Sequence, residues 1–319
     1  MSKAFASSAD LAPKRETLET LDRGVYAFTA EGDPNVGAVE GEGFLVCIEA
    51  RATPVAARDW LKELRKHTDK PVKYLILTHY HAVRVLGASA FDAEHIIASD
   101  TTRRLIEERG REDWDSELGR MPRLFKEPDS IPGLTRPTEV FSDSLEIPLG
   151  GNRGKLLLKY CGRGHTAGDI VVWHENSRTL FAGDLVEAQA ALYTGDAFHF
   201  DWSKGTLDAV KHFKADKLVG GRGAVARGLC ATDQAVEQTR DFLLDMIGET
   251  RAVHQRGGSL KQAFEAAHAK LAPKFGRWPI FEHCMPFNVQ RLWDEFDGID
   301  WPRIWTAARD REVWAKLQD

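Results

Sequence analysis

The segment that most constrains the fold is Tyr74-Leu75-Ile76-Leu77-Thr78, which runs directly into His79-Tyr80-His81. A short apolar run of this kind suits a strand buried on both faces, and such strands belong to sheets covered by helices. The two histidines leave the end of that strand in an H-x-H step. On extended backbone, residues i and i+2 face the same way, so both imidazoles can reach one metal ion.

The rest of the pattern supports a layered α/β chain. Strand-like runs are read at Val25–Thr29, Gly43–Glu49, His95–Ser99, Val140–Ile147, Lys155–Tyr160, Ile170–His174, Arg178–Ala182 and Leu218–Val219. Helical spacing is read at Val55–His67, near Thr101–Arg109 and at Lys204–Phe213. Between Arg111 and Pro137 the chain reads as irregular, with four prolines after Met121, and is expected to form a loop or lid. After Cys230 the pattern is helical, at Ala231–Gln255, Leu260–Ala272, Val289–Phe296 and Arg303–Leu317. The expected organisation is a flexible tail over 1–20, an α/β domain over 21–230 and a helical region over 231–319 packed on it.

Composition removes several function classes. With 319 residues the chain can bury a full core without a disulfide frame. No apolar stretch is long enough to cross a bilayer, so no membrane partner is expected. The net charge of −5 argues against nucleic acid as a partner, because phosphate neutralisation needs an excess of Lys and Arg. Cys47, Cys161, Cys230 and Cys284 form no CxxC and read as free thiols. The opening residues have no apolar core of the signal-peptide kind, so a cytoplasmic location is expected.

Two further segments carry chemistry. Gly162-Arg163-Gly164-His165-Thr166-Ala167-Gly168-Asp169 is a Gly-rich turn presenting a third histidine. Leu180-Phe181-Ala182-Gly183-Asp184 is an apolar strand ending in a carboxylate. Three histidines and one aspartate make a mononuclear site suited to zinc or iron.

These motifs, in this order, resemble the metallo-β-lactamase-fold superfamily of metallohydrolases over about residues 22–225. The resemblance implies an αβ/βα four-layer sandwich, here with an α-helical C-terminal extension. It implies that His79, His81 and His165 are the three ligands of the first metal site. Asp184 falls on the aspartate that usually bridges two metals.

The departures are informative. The family's first motif reads H-x-H-x-D-H, but here Val83 stands at its aspartate and Arg84 at its last histidine. Arg222, in Val219-Gly220-Gly221-Arg222-Gly223, stands where a late G-H-G histidine is expected. Valine has no donor atom, and guanidinium stays protonated. All three changes strike the second metal site and leave the first intact. The resemblance therefore implies a variant holding one Zn2+ per chain, with Fe2+ as the alternative.

Arg84 and Arg222 have two readings. They could replace the charge of a second metal and fork onto a substrate carboxylate or oxyanion, as catalytic and substrate-binding groups. Alternatively they pair with Asp169 or Asp184 and hold the loop. Asp184 is also a candidate proton shuttle. In the segment Glu282–Arg291, His283 could contact substrate or tie the C-terminal helices to the core. Tyr193, Phe198, Phe200, Trp202 and Trp278 could wall a pocket, with Phe198 and Trp202 as substrate contacts, or serve as ordinary core.

The expected function is a mononuclear metal-dependent hydrolase acting on a small ester, lactone, thioester or amide. One zinc lowers the pKa of its water towards ~7 and supplies hydroxide without a separate base. Two alternatives stand beside it. One is an iron dioxygenase of the persulfide type built on His79, His165 and Asp184, although that family keeps the D-H pair missing here. The other is a non-catalytic binding protein of the same fold. A small-molecule substrate is the expected partner, and the long helical C-terminal region would allow a homodimer.

Overall fold

The computed structural model describes residues 5–318. Two mixed sheets pack face to face. The first is built from β1 (Thr17–Asp22), β2 (Val25–Ala30), β3 (Asp33–Glu40), β4 (Leu45–Ile48), β5 (Val72–Ile76), β6 (His95–Ser99) and β7 (Glu139–Phe141), in that spatial order. Its first four strands are antiparallel to their neighbours; β4 to β7 run parallel. The second sheet has the order β13-β12-β11-β10-β9-β8. These strands are β8 (Ser144–Pro148), β9 (Lys155–Tyr160), β10 (Ile170–His174), β11 (Thr179–Gly183), β12 (Lys217–Gly220) and β13 (Ala226–Arg227).

Helices cover both outer faces. They are α1 (Pro54–Leu64), α2 (Ala82–Val85), α3 (Asp100–Arg120), α4 (His199–Asp201), α5 (Leu207–Lys211), α6 (Leu229–Gln255), α7 (Leu260–Phe275), α8 (Phe281–Phe296) and α9 (Ala307–Gln318). Between the sheets, Val46, Ile48, Ile76 and Ile97 meet Leu158, Ile170, Val172 and Phe181. Outside the first sheet, Leu75 and Leu77 pack with Trp60 of α1 and Leu105 of α3. Outside the second, Val171, Leu180 and Leu218 pack with Phe242, Met246 and Leu271 of the C-terminal helices. This is the four-layer α/β sandwich with a helical C-terminal extension that the sequence implied.

Several elements depart from the sequence reading. The helix expected near Thr101–Arg109 continues to Arg120, well into the stretch read as irregular. Its buried face carries Arg109, Asp113, Glu117 and Arg120, so it has no apolar stripe to betray it. The single run Val140–Ile147 is two strands, because the chain crosses from one sheet to the other at Ser142-Asp143. β3 contains Pro34 and Gly37 and has no counterpart among the strand-like runs of the sequence. α8 begins at Phe281, eight residues before the expected start. β1 lies partly within the segment read as a tail, and Phe5 packs on Trp314 with ring centroids 5.3 Å apart. The four cysteines are free thiols, with Cys47 and Cys284 buried and Cys230 exposed.

Candidate metal centre

β5 ends at Ile76, and the chain then delivers His79 and His81 to the edge between the sheets. The carboxylate of Glu49, just past β4, accepts from the Thr78 amide at 2.9 Å and fixes the strand end. Burial pushes the Glu49 pKa up to about 7, with Arg84 and the Thr78 contact opposing. His81 stands at the N-cap position of α2, and the next amide, that of Ala82, donates to Asp113 Oδ2 at 2.5 Å.

His165 arrives from the turn before β10. That turn is moored on the N-terminus of α3, where Ser99 Oγ and Thr102 Oγ1 both donate to Gly168 O, at 2.6 and 2.9 Å. Ser99 also caps α3 by accepting from Thr102 N. Asp184 follows Gly183, whose φ of +53° and closeness to Thr78 leave no room for a Cβ. Gly221 is needed for a different reason, since a Cβ there would stand 2.1 Å from Asp184 Oδ1.

The three histidines converge. One nitrogen from each lies within 4.8 Å of the others, and all three residues are buried. His165 Nδ1 donates to Tyr193 O at 2.8 Å, which leaves Nε2 facing His81 Nδ1 at 3.0 Å. His79 Nδ1 meets Thr78 Oγ1 at 3.0 Å, and its Nε2 is buried with no hydrogen-bond partner. An unsatisfied buried polar atom costs roughly 1–3 kcal/mol. His81 Nε2 lies 3.2 Å from Asp196 Oδ2. Asp184 Oδ2 stands 3.8 Å from His79 Nε2 and 3.6 Å from His165 Nε2.

The electrostatics differ among the three histidines. Burial holds His79 well below its usual pKa and His165 down to about 3, so both stay neutral donors. His81 is also buried, but Asp113 and Asp196 raise it to about 9. Burial acts to raise Asp184, yet Arg84, His79 and Arg222 keep it well below the carboxylate range.

The arginines sit on this aspartate. Arg84, fully buried, donates from Nη2 to Asp184 Oδ1 and to Gly221 O, and from Nη1 to Asn35 O. Arg222 Nη1 donates to Asp184 Oδ2 at 3.0 Å and to Glu187 Oε1 at 3.3 Å. Of the two readings of these arginines, the geometry displays the pairing with Asp184; Arg222 Nε has no partner. Val83 is buried in the apolar core.

Of the five candidate aromatics, Tyr193 and Trp202 reach the histidines. Tyr193 lies 5.6 Å from the His81 ring, and Trp202 lies 5.9 Å from that of His165. Phe198 instead packs on Trp301, Phe200 on Phe296 and Trp278 on Phe275. His283 is buried on α8 against Phe287, with Nδ1 unpartnered. Sequence reading missed Asn35, Glu49, Asp113, Glu187 and Asp196. Isolated polar residues in a strand, in loops and on a charged helix carry no motif, and only the fold brings them to the site.

The metallo-beta-lactamase superfamily model matches residues 30–222. The chain belongs to the metallo-beta-lactamase superfamily. Its similarity to individual superfamily members is distant. It is 26% identical over 215 residues to a type 2 metallo-beta-lactamase of Bacillus sp. (strain 170), covering 64% of this chain and 74% of that one. It is 21% identical to a linear primary-alkylsulfatase of Pseudomonas sp. (strain ATCC 19151), covering 88% of this chain but 60% of the relative's length. The fold is similar to that of a metallo-beta-lactamase from Pontibacter korlensis, with a TM-score of 0.57 and 19% identity. That match covers 72% of this chain and 99% of the other. Superfamily members are metal-dependent hydrolases, and the buried histidine triad here is able to bind a metal ion. No described helix is long and apolar enough to cross a membrane.

Proposed function

We propose that this chain is a one-metal hydrolase acting on a small ester, lactone, thioester or amide. The observation that carries the reading is the unpartnered, buried Nε2 of His79 inside a three-histidine cluster whose fourth corner is Asp184. The neutral imidazoles of His79 and His165 with one carboxylate, joined by His81 on giving up its proton, suit zinc or iron(II). His79 Nε2, His81 Nδ1, His165 Nε2 and Asp184 Oδ2 would hold the ion. Such an ion supplies Lewis acidity and lowers the pKa of its water towards ~7.

The protein's own groups do the rest. The Tyr193 carbonyl and Asp196 fix the His165 and His81 rings by hydrogen bonds to their outer nitrogens. Arg84 on Oδ1 and Arg222 on Oδ2 together neutralise the Asp184 carboxylate. Arg222 retains Nε as a donor for an oxyanion of the substrate. Tyr193 and Trp202 pack edge-on against the His81 and His165 rings and limit their movement.

The test is elemental analysis of purified protein together with hydrolysis of a panel of carboxylic esters, lactones, thioesters, amides and alkyl sulfates. Alkyl sulfates are included because the alkylsulfatase similarity extends over most of the chain. About one zinc per chain and turnover lost in His79→Ala would support the proposal. A metal-free protein without turnover would overturn it. About one iron per chain with oxygen uptake would replace it by dioxygenase chemistry at His79, His165 and Asp184.

A further inference from the structure

The buried face of α3 is ionic. Arg109, Asp113, Glu117 and Arg120 follow at spacings of four, four and three, which places them on one side of the helix. Each is at most 5% exposed. A buried ionic stripe stabilises poorly compared with an apolar one. Its contacts show what it accomplishes instead.

Asp196 stands between the metal site and this stripe. Its Oδ2 meets His81 Nε2 at 3.2 Å, and its Oδ1 lies 3.5 Å from Arg109 Nη1. The same Arg109 nitrogen donates to the carbonyl of Pro302 at 3.1 Å. Trp301 lies beneath the guanidiniums of Arg104 and Arg109, 5.3 and 5.8 Å from its ring centre. Three turns further on, Arg120 pairs with Glu117 at 2.6 Å, and its Nε lies 3.4 Å from Asp310 of α9. Ser116 Oγ also donates to Asp310, at 2.6 Å. The C-terminal segment 299–318 is thus fastened to α3 at two points, and the first of them continues through Asp196 to a histidine of the candidate metal site.

We infer that Asp196 is a positioning residue for His81, and that Arg109 makes the C-terminal segment 299–318 part of the metal site's support. A neutral imidazole carries one N–H. With that proton on Nε2 and directed at Asp196, the lone pair of Nδ1 faces His79 and His165, where an ion would sit. Without the carboxylate the ring is free to place its proton on either nitrogen and to turn. Partners of this kind typically contribute 10–100-fold to metal affinity. The inference rests on the metal-site reading above.

Zinc and cobalt(II) affinities of the full chain, measured by competition with a chelator, test it on Asp196→Ala, Asp196→Asn and Arg109→Met. Asp196→Ala is expected to bind about 10–100-fold more weakly and to shift the cobalt(II) visible spectrum. Asp196→Asn keeps an acceptor and should recover part of the loss. Arg109→Met should weaken binding in the same direction by a smaller factor. If Asp196→Ala does not fold, the other two variants carry the comparison. Affinity within twofold of wild type and an unchanged spectrum would overturn the role of Asp196. Wild-type affinity in Arg109→Met would overturn the link to the C-terminal segment.

Nitrogen-15 NMR of the metal-free protein at pH 10 separates this inference from the metal reading. Wild type should show His81 protonated on Nε2, and Asp196→Asn should show a mixture of tautomers. Should the wild type bind no metal, this readout decides alone, and identical tautomers in both proteins would overturn the inference.

Discussion

Arg84 donates from Nη2 to Oδ1 of Asp184, so a guanidinium from the position of the family's last first-motif histidine is seated on the aspartate. Arg222 holds the other oxygen at 3.0 Å. The aspartate is thereby neutralised by protein alone. A second cation placed there would have to displace two buried, hydrogen-bonded guanidiniums.

The first consequence is a metal count. Elemental analysis should give about one ion per chain, even after incubation with excess zinc and desalting. Two ions per chain would contradict the geometry around Asp184.

The count should be switchable. Combining Val83→Asp, Arg84→His and Arg222→His restores neutral or anionic donors at the three positions that lack them. Zinc bound per chain is expected to rise from about one to two, read by the same elemental analysis. A triple variant that folds and still binds one ion would show that these positions do not control the stoichiometry.

Removing one partner of a buried ion pair strands the other. Arg120→Met leaves Glu117 and Asp310 without their shared cation, and should cost about 3–5 kcal/mol in urea unfolding. Adding Glu117→Gln and Asp310→Asn should recover most of that loss, because the stranded charges go with it. Additive losses in the triple variant would refute the pairing.

Asp169 gives a pH prediction. Burial raises its pKa to about 7, against the hydrogen bond it accepts from the Thr166 amide. Its usual value is 3.8, so the folded state favours the protonated form. That contribution is present in full below the unfolded value and is lost as pH rises through the folded one. Relative to Asp169→Asn, the wild-type melting temperature should therefore decline from about pH 4 to pH 7 and hold a constant offset above. A constant offset across the whole range would mean that the group does not titrate as described.

Much of this could be read locally. The apolar strand before His79, the H-x-H step, the Gly-rich turn at His165 and the Gly-Asp at 184 are short-range patterns, and short-range patterns survive in one dimension. α3 shows why other parts could not be read. Its inward face is charged, and on a sequence a charged stripe looks like a solvated helix or a loop. The strands at 139–141 and 144–148 form one continuous run in sequence, because a change of sheet leaves no mark on hydropathy. Phe198, Phe200 and Trp278 follow the same logic. Aromatic composition near a motif does not say which ring faces which cavity.

The sequence by itself determined which candidate donors are present: three histidines and one aspartate, with valine and two arginines at the other motif positions. Side-chain chemistry alone decides that valine cannot ligate and that guanidinium stays charged. Only the tertiary structure decided what the arginines do and what supports the histidines. Arg84 and Asp184 are 100 residues apart, His81 and Asp196 are 115 apart, and Arg109 and Pro302 are 193 apart. Contacts over such separations are created by the packing of the two sheets and the C-terminal helices, and no local pattern encodes them.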